Sequence, residues 1–173
     1  MKTCFHSHLA CVFALACTCD AWADLNTEIL SDSPVAYWRL DDATTPALDA
    51  TVNVNNADAF GSVTFAAPSL FLNDTNDSVA LGANGQLITL PFEKVDGGGF
   101  TVEFWVKFNS LPTGFANLVG DGEAGGDFAL MVYAGAGGFI RPHVQTEFGF
   151  ASLDSVARVT VGAVHHVVST WDA

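Results

Sequence analysis

Hydrophobic and polar positions alternate most regularly between residues 100 and 108. One set of alternate positions is wholly apolar and the other is mostly polar: Val102, Phe104, Val106 and Phe108 against Thr101, Glu103, Trp105 and Lys107. Successive side chains of a strand point to opposite faces, so this pattern predicts a strand with one buried side and one side facing solvent.

Short apolar stretches separated by Gly, Asn, Asp and Pro make up most of the remaining chain. Beyond one helical turn at 24–31, the predicted strands are residues 34–40, 59–65, 78–81, 86–90, 100–108, 116–119, 128–133, 139–144, 157–161 and 165–171. Gly-rich connections such as residues 135–138 supply the backbone angles that tight turns need. Many short strands with brief turns predict one all-β domain, folded as a two-sheet antiparallel β-sandwich.

The first 23 residues have a different composition from the rest. Lys2 precedes an apolar run at residues 9–17, and Ala21-Trp22-Ala23 has the small residues that signal peptidase recognises. This predicts a signal-peptide helix over residues 1–23 and a mature domain over residues 24–173. The alternatives are a buried core helix and a lipoprotein acylated at Cys17.

Export is therefore expected, to the extracellular space or the cell surface. The apolar run is too short to span a bilayer, so no membrane insertion is expected after cleavage. All four cysteines precede residue 24, which leaves the mature domain without disulfides. The leader carries one cation and one acid, Lys2 and Asp20, so the formal charge of −13 stays with the mature domain. A surface this acidic repels phosphate backbones and anionic lipids, which excludes nucleic acid as an expected partner.

Three segments, in this order, resemble the concanavalin A-like lectin and glucanase superfamily, in its laminin-G-like branch. They are DSPVAYWRLDD at residues 32–42, FTVEFWVK at residues 100–107 and HHVVSTWD at residues 165–172. The resemblance implies a jelly-roll sandwich. In two places the chain departs from the family pattern: Val164 stands where the family usually has Trp, and the chain stops at Ala173, where the family continues into closing strands. A domain that is incomplete at its C-terminus, and only marginally stable alone, is therefore expected.

Candidate ligand-binding residues lie on the polar side of the strand at residues 100–108. Trp105 is flanked there by Glu103 and Lys107, and aromatic rings beside polar groups suit the apolar faces and hydroxyls of sugars. The alternative for any tryptophan in a sandwich strand is a place in the core, which we expect for Trp38 and Trp171.

A Gly-rich loop carries the candidate metal ligands Asp121, Glu123 and Asp127. Calcium takes six to eight oxygen ligands, and carboxylates held by turns supply them. The loop lacks the residue order of an EF-hand, but the resemblance implies a structural or ligand-bridging calcium. The alternative is a solvated acidic hairpin. The predicted cofactor is Ca²⁺.

Catalysis is not expected, although the resembled superfamily includes glucanases. A retaining glycosidase needs two carboxyl groups about 5 Å apart, and Glu103 has no second carboxylate on its strand face. His165 and His166 point to opposite faces of one strand, so they cannot chelate one ion and are predicted to be structural. The favoured function is a secreted module that binds glycan or an extracellular protein. The predicted calcium ion would assist this binding. The alternatives are a structural or adhesive segment of a larger surface protein and, third, a glycoside hydrolase.

Overall fold

A computed structural model describes residues 25–72, 74–89, 99–120, 129–146 and 149–172. The predicted signal-peptide helix lies outside these ranges. The predicted helical turn is confirmed as α1, Leu25–Ser31, in a compact unit that ends at Pro34. Every described strand belongs to a second compact unit, which begins at Val35. No described helix is long and apolar enough to cross a membrane.

The strands of the second unit are short and joined by brief turns. In chain order they are β1 Ala57–Phe60, β2 Val63–Ala67, β3 Ser78–Leu81, β4 Gln86–Thr89, β5 Phe100–Lys107, β6 Ala116–Gly120, β7 Ala129–Ala134, β8 Ile140–Thr146, β9 Gly149–Ser152 and β10 Val164–Trp171. All pairings are antiparallel: β1 with β4, β2 with β3, β5 with β10, and a four-stranded sheet ordered β6-β7-β8-β9. The all-β prediction is confirmed.

The core lies between the β5–β10 pair and the four-stranded sheet. Its buried members are Phe108, Ala134, Ile140 and Val159. The apolar side of β5 packs against them through Val102, Phe104 and Val106, and β10 adds Val167. Two layers of strands thus cover each other with their apolar faces, which is the arrangement of a β-sandwich.

The strand predicted at residues 59–65 is divided in two. Gly61 has a φ of 69°, and a Cβ atom at this position would overlap the carbonyl oxygen of Asn84. A side chain is therefore excluded here, and the chain turns between β1 and β2. The opposing strands β3 and β4 are interrupted at the same level, where the Gly82 amide donates to the Ser62 carbonyl at 2.7 Å.

The strand predicted at residues 34–40 is wrong. Trp38 takes part in an isolated bridge with Asp49 rather than in a strand ladder, and Leu40 has a φ of 62°, which is incompatible with an extended strand. Residues 35–56, which we call the Asp49 segment, are instead held by a buried carboxylate. Asp49 is 8% exposed and accepts four hydrogen bonds: from the amides of Tyr37, Thr51 and Asn55 at 2.9 Å each, and from the Thr51 hydroxyl at 2.8 Å.

The Asp49 carboxylate is held in its ionised form. Burial by itself raises the pKa of Asp49, but the hydrogen bonds from the backbone amides and from the Thr51 hydroxyl outweigh burial and lower the pKa below its ordinary value. Around it, the Trp38 indole donates to the Asn55 carbonyl at 2.7 Å. Trp38 is therefore half-buried within this segment and is not among the residues of the core cluster, where it was predicted to lie.

The strand predicted at residues 157–161 is also wrong, although Val159 in its middle is buried. Ser155 takes over the hydrogen bonds that a strand would make. Its amide donates to the Ile140 carbonyl at 2.8 Å, and its hydroxyl accepts from the Ile140 amide at 2.9 Å. The strand at this edge of the described four-stranded sheet is β9. It was not predicted, because all four of its residues are exposed and carry no burial pattern.

Candidate ligand-binding surface

The register of β5 against β10 decides which side chains share a face. Trp105 lies opposite His166, Glu103 opposite Val168, and Thr101 opposite Thr170. Exposed and half-buried residues alternate along β5, so the predicted division of its faces is confirmed. The solvent-facing side of the pair, which we call the outer face, carries Thr101, Glu103, Trp105 and Lys107 from β5, and His166, Val168 and Thr170 from β10.

Trp105 is the centre of an aromatic group on the outer face. The His166 ring stacks on it with ring centroids 4.1 Å apart and an angle of 10° between the planes. Phe71, from the connection between β2 and β3, meets Trp105 edge to face at 5.0 Å. Trp105 and Phe71 keep exposed fractions of 39% and 38%. The indole is thus fixed in orientation by two neighbours while a substantial part of it still contacts solvent.

A polar pair lies beside this aromatic group. The Nε2 atom of His166 donates to the Oε1 atom of Glu103 at 2.7 Å. This bond orients both side chains, and the second carboxylate oxygen of Glu103 remains able to accept hydrogen bonds from a ligand. Further along the face, the hydroxyls of Thr101 and Thr170 bond to each other at 3.2 Å. The side chain of Lys107 is exposed on the same face, and it makes no hydrogen bond or ion pair to another described residue.

The structure therefore brings the three predicted ligand residues to one face and adds two that were missed. His166 was predicted to be structural, but it contacts both Trp105 and Glu103. Its outward direction followed from strand alternation, whereas its position opposite Trp105 required the strand register. Nothing in the sequence indicated Phe71, because this residue lies in a connection without a regular pattern of apolar and polar positions.

The two adjacent histidines point apart, as predicted. His165 faces the other way, and its Nε2 atom accepts a hydrogen bond from the Thr160 amide at 2.9 Å. Its ring thereby ties β10 to the preceding turn. His165 takes no part in the outer face, and the two imidazoles do not meet at one ion.

The predicted calcium ligands Asp121, Glu123 and Asp127 lie outside the described residues. Within the described ranges, no group of three or more His, Cys, Asp or Glu side chains is arranged to hold a metal ion. The acids that follow Tyr37 are committed elsewhere: Asp41 pairs with Arg39 at 2.7 Å, Asp42 accepts from the Leu48 amide at 3.0 Å, and Asp49 holds its own segment. The calcium prediction stays a prediction of the sequence.

A family model described as the concanavalin A-like lectin/glucanases superfamily matches residues 73–173. The chain belongs to this superfamily. The match includes β3 to β10, and therefore both strands of the outer face. It begins after the Asp49 segment, so the first of the three resembling segments lies before it. No curated protein matches the chain significantly. No solved structure does so either.

Membership of the superfamily agrees with the sandwich core and identifies the chain as a lectin- or glucanase-type module in general terms. The superfamily includes both binding proteins and hydrolases, as its description states. The residues of the outer face are therefore the basis for choosing between these functions. Glu103 is the single carboxylate among the outer-face residues, and it is bonded to His166.

Proposed function

We propose that this concanavalin A-like domain is a secreted recognition module that binds a carbohydrate on the outer face of β5 and β10. The observation that carries the proposal is the partly exposed indole of Trp105, oriented by His166 and bordered by Glu103. A sugar ring presents an apolar face and a rim of hydroxyls, so it needs an aromatic plane next to hydrogen-bonding groups. The outer face offers both within one strand pair.

Each outer-face residue has a different role in this proposal. Trp105 and Phe71 supply apolar area for the face of the sugar ring. Glu103 accepts a hydrogen bond from a sugar hydroxyl through the carboxylate oxygen that His166 does not use. Lys107, two residues beyond Trp105 on β5, donates to a ring or hydroxyl oxygen. These groups bind but do not cleave, because a retaining hydrolysis needs a second carboxyl group at about 5 Å.

A glycan array probed with the purified protein tests the proposal, followed by titration calorimetry with the best ligand. Trp105→Ala should weaken binding about tenfold or more, since both stacking and buried apolar area are lost. Glu103→Gln keeps the shape of the side chain but replaces the charged acceptor by a neutral amide, and a smaller loss of affinity is expected. Phe60→Ala is the matched control, because Phe60 is a half-exposed aromatic on β1. Equal losses in the Trp105 and Phe60 variants would contradict the proposal.

A structural or adhesive segment without its own ligand site is the second candidate. It is favoured by the contacts that Trp105 already makes with His166 and Phe71. Under this alternative the array detects no ligand, and Trp105→Ala lowers the melting temperature as a core substitution does. Under the carbohydrate proposal the variant loses binding while it keeps most of its stability. Thermal denaturation of the same variants separates the two.

Calcium assistance and export belong to the same proposal and rest on the sequence. The array repeated with a chelator tests calcium: binding that survives chelation removes the ion from the proposal. Mass spectrometry of the exported protein tests the leader, with a mature N-terminus expected at Asp24. A lipid on Cys17 or an intact Met1 would contradict the predicted cleavage.

A further inference from the structure

A second group of side chains with ligand-binding character lies at β8 of the four-stranded sheet and on the connections next to it. It combines two guanidinium groups, two aromatic rings and one carboxylate: Arg141, Arg158, Phe115, Phe139 and Asp154. We call it the arginine cluster. The chain has six cationic side chains against nineteen acidic ones, and its formal charge is −13. A group with two guanidinium groups and one carboxylate therefore carries a local excess of positive charge.

Arg141 lies at the centre of the cluster. Its guanidinium carbon lies 4.8 Å from the ring centroid of Phe115 and 5.1 Å from that of Phe139. Its Nε and Nη2 atoms donate to the two carboxylate oxygens of Asp154 at 2.5 and 3.0 Å. This hydrogen bonding raises the pKa of Arg141 and lowers the pKa of Asp154, so both groups stay charged. Arg141 therefore organises the cluster, with two of its five N–H donors bonded to Asp154.

Arg158 differs from Arg141 in its contacts. It is exposed, and its guanidinium carbon lies 5.3 Å from the centroid of Phe139. Among the described residues it donates no hydrogen bond. Its position is set by the next residue, because Val159 is buried in the core and its amide donates to the Gly138 carbonyl at 2.7 Å. The guanidinium is thus exposed beside the Phe139 ring, on a backbone anchored at Val159, and it is close enough to Asp154 to help lower the pKa of that carboxyl.

The aromatic ring shared by both arginines is itself positioned by the backbone. Phe139 closes the turn between β7 and β8, where the Gly135 amide donates to the Phe139 carbonyl at 2.9 Å. A Cβ atom on residue 135 would overlap the Phe139 ring. Phe115 lies edge to face with Phe139 at 5.8 Å and is 59% exposed. Phe139 thus lies between the exposed guanidinium of Arg158 and the exposed ring of Phe115 and contacts both.

We propose that the arginine cluster binds an acidic sugar unit, with its carboxylate or sulfate group on Arg158 and its ring against Phe115. A guanidinium matches the geometry of a carboxylate or sulfate through parallel hydrogen bonds, and an aromatic ring matches the apolar face of a sugar. The rest of the surface repels anions, so such a ligand is directed to this cluster rather than bound diffusely. Arg141 belongs to a different sheet from Trp105, and none of the contacts within the cluster involves Trp105 or Glu103.

Titration calorimetry on the purified chain tests this proposal. The probes are tetragalacturonate for the carboxylate, a sulfated carrageenan tetrasaccharide for the sulfate, uncharged cellotetraose, and a tetraglutamate peptide. We expect one or both acidic saccharides to bind and the two others to bind far more weakly. Which saccharide binds identifies the anion. Binding of cellotetraose or tetraglutamate as tight as that of the acidic saccharides would overturn the proposal, and so would absence of binding by both acidic saccharides.

Variants locate the site. Arg158→Gln should weaken binding about tenfold or more, the effect of losing hydrogen bonds to a charged group. Arg158→Lys keeps the charge without the planar fork and should give an intermediate loss. Arg39→Gln is the charge-matched control, because Arg39 pairs with Asp41 outside the cluster. An equal loss in the Arg39 and Arg158 variants would mean a general charge effect and overturn the proposal, and a loss in Trp105→Ala would place the ligand on the outer face instead.

Gly135→Ala adds a test of the ring that holds the cluster together. The new methyl group displaces Phe139, so both arginines lose their shared aromatic contact and binding of the acidic saccharide falls severalfold. Gly114→Ala is the matched control, since a Cβ atom there meets no other atom within 4 Å. Unchanged binding by Gly135→Ala, with the fold intact by circular dichroism, would contradict the role given to Phe139.

Discussion

The β5–β10 pair and the Asp49 segment both contain apolar runs that read as strands, but their backbones are held in different ways. In β5 and β10, eight residue pairs form a continuous antiparallel register, and the side chains divide into an apolar and a polar face. In the Asp49 segment, the amides of Tyr37, Thr51 and Asn55 donate to one carboxylate, and the chain turns at Leu40 through a positive φ. One region spreads its hydrogen bonds over many partners, and the other directs four of them to a single carboxylate.

This difference has a consequence for tolerance to substitution. In a paired strand, removal of one side chain leaves the backbone hydrogen bonds in place, and its cost follows the apolar area that was packed. Where one carboxylate is the acceptor for several donors, its removal leaves all of those donors unpaired in a buried place. The Asp49 segment should therefore be the more fragile of the two regions at a single position.

Asp49→Ala should cause the largest loss of stability. Three amides and the Thr51 hydroxyl lose their acceptor, and an unpaired buried donor costs about 1–3 kcal/mol, so partial solvation of the segment leaves a total loss of about 4 kcal/mol. Urea denaturation measures the loss. Asp42→Ala is the control, since Asp42 accepts one hydrogen bond at an exposed position. Equal losses for the two variants would show that the segment does not depend on Asp49.

Phe104→Ala should come next, with a loss of about 3 kcal/mol. Phe104 packs against the core between the two sheets, but it is only partly buried, which places it at the lower end of the range for phenylalanine. The same urea titration gives the value. A larger loss of stability in Phe104→Ala than in Asp49→Ala would contradict the expectation that the Asp49 segment is the more fragile of the two regions.

Acidification should weaken the Asp49 segment in particular. The pKa of Asp49 is lowered in the folded protein, so its stabilisation is fully present above the unfolded value of 3.8 and is lost as the pH falls from there through the lower folded value. Asp154 also has a lowered pKa and contributes in the same direction. Comparison with Asp49→Asn isolates the share of the pH-dependent loss of stability that is due to Asp49, because the asparagine side chain does not titrate. Parallel curves of stability against pH for the two proteins would contradict this prediction.

Thr101→Ala should have the smallest effect, less than about 0.5 kcal/mol. The Thr101 hydroxyl contacts the Thr170 hydroxyl on the exposed side of the β5–β10 pair, where water replaces the lost bond. Its neighbour Phe104, on the apolar side of the same strand, is the internal comparison. Similar costs at both positions would mean that the two faces of β5 have been assigned the wrong way round.

The two strands that were predicted wrongly have a common physical cause. At residues 34–40 the Asp49 carboxylate accepts the Tyr37 amide hydrogen bond, and at residues 157–161 the Ser155 hydroxyl bonds both the Ile140 amide and the Ala157 carbonyl. In both places a side-chain oxygen replaces part of the backbone ladder of a sheet. An apolar run next to such a side chain buries residues such as Val159 without forming a strand.

The sequence by itself determined the all-β class, most of the strands and the two faces of β5, because alternation and turn residues are local properties. It therefore placed Trp105, Glu103 and Lys107 on one surface. Only the tertiary structure decided that His166 stacks on Trp105, that Phe71 reaches the same ring, and that Arg141 and Arg158 meet at Phe139. Those contacts join residues far apart in the chain, and the strand register and loop paths that create them depend on how the whole domain packs.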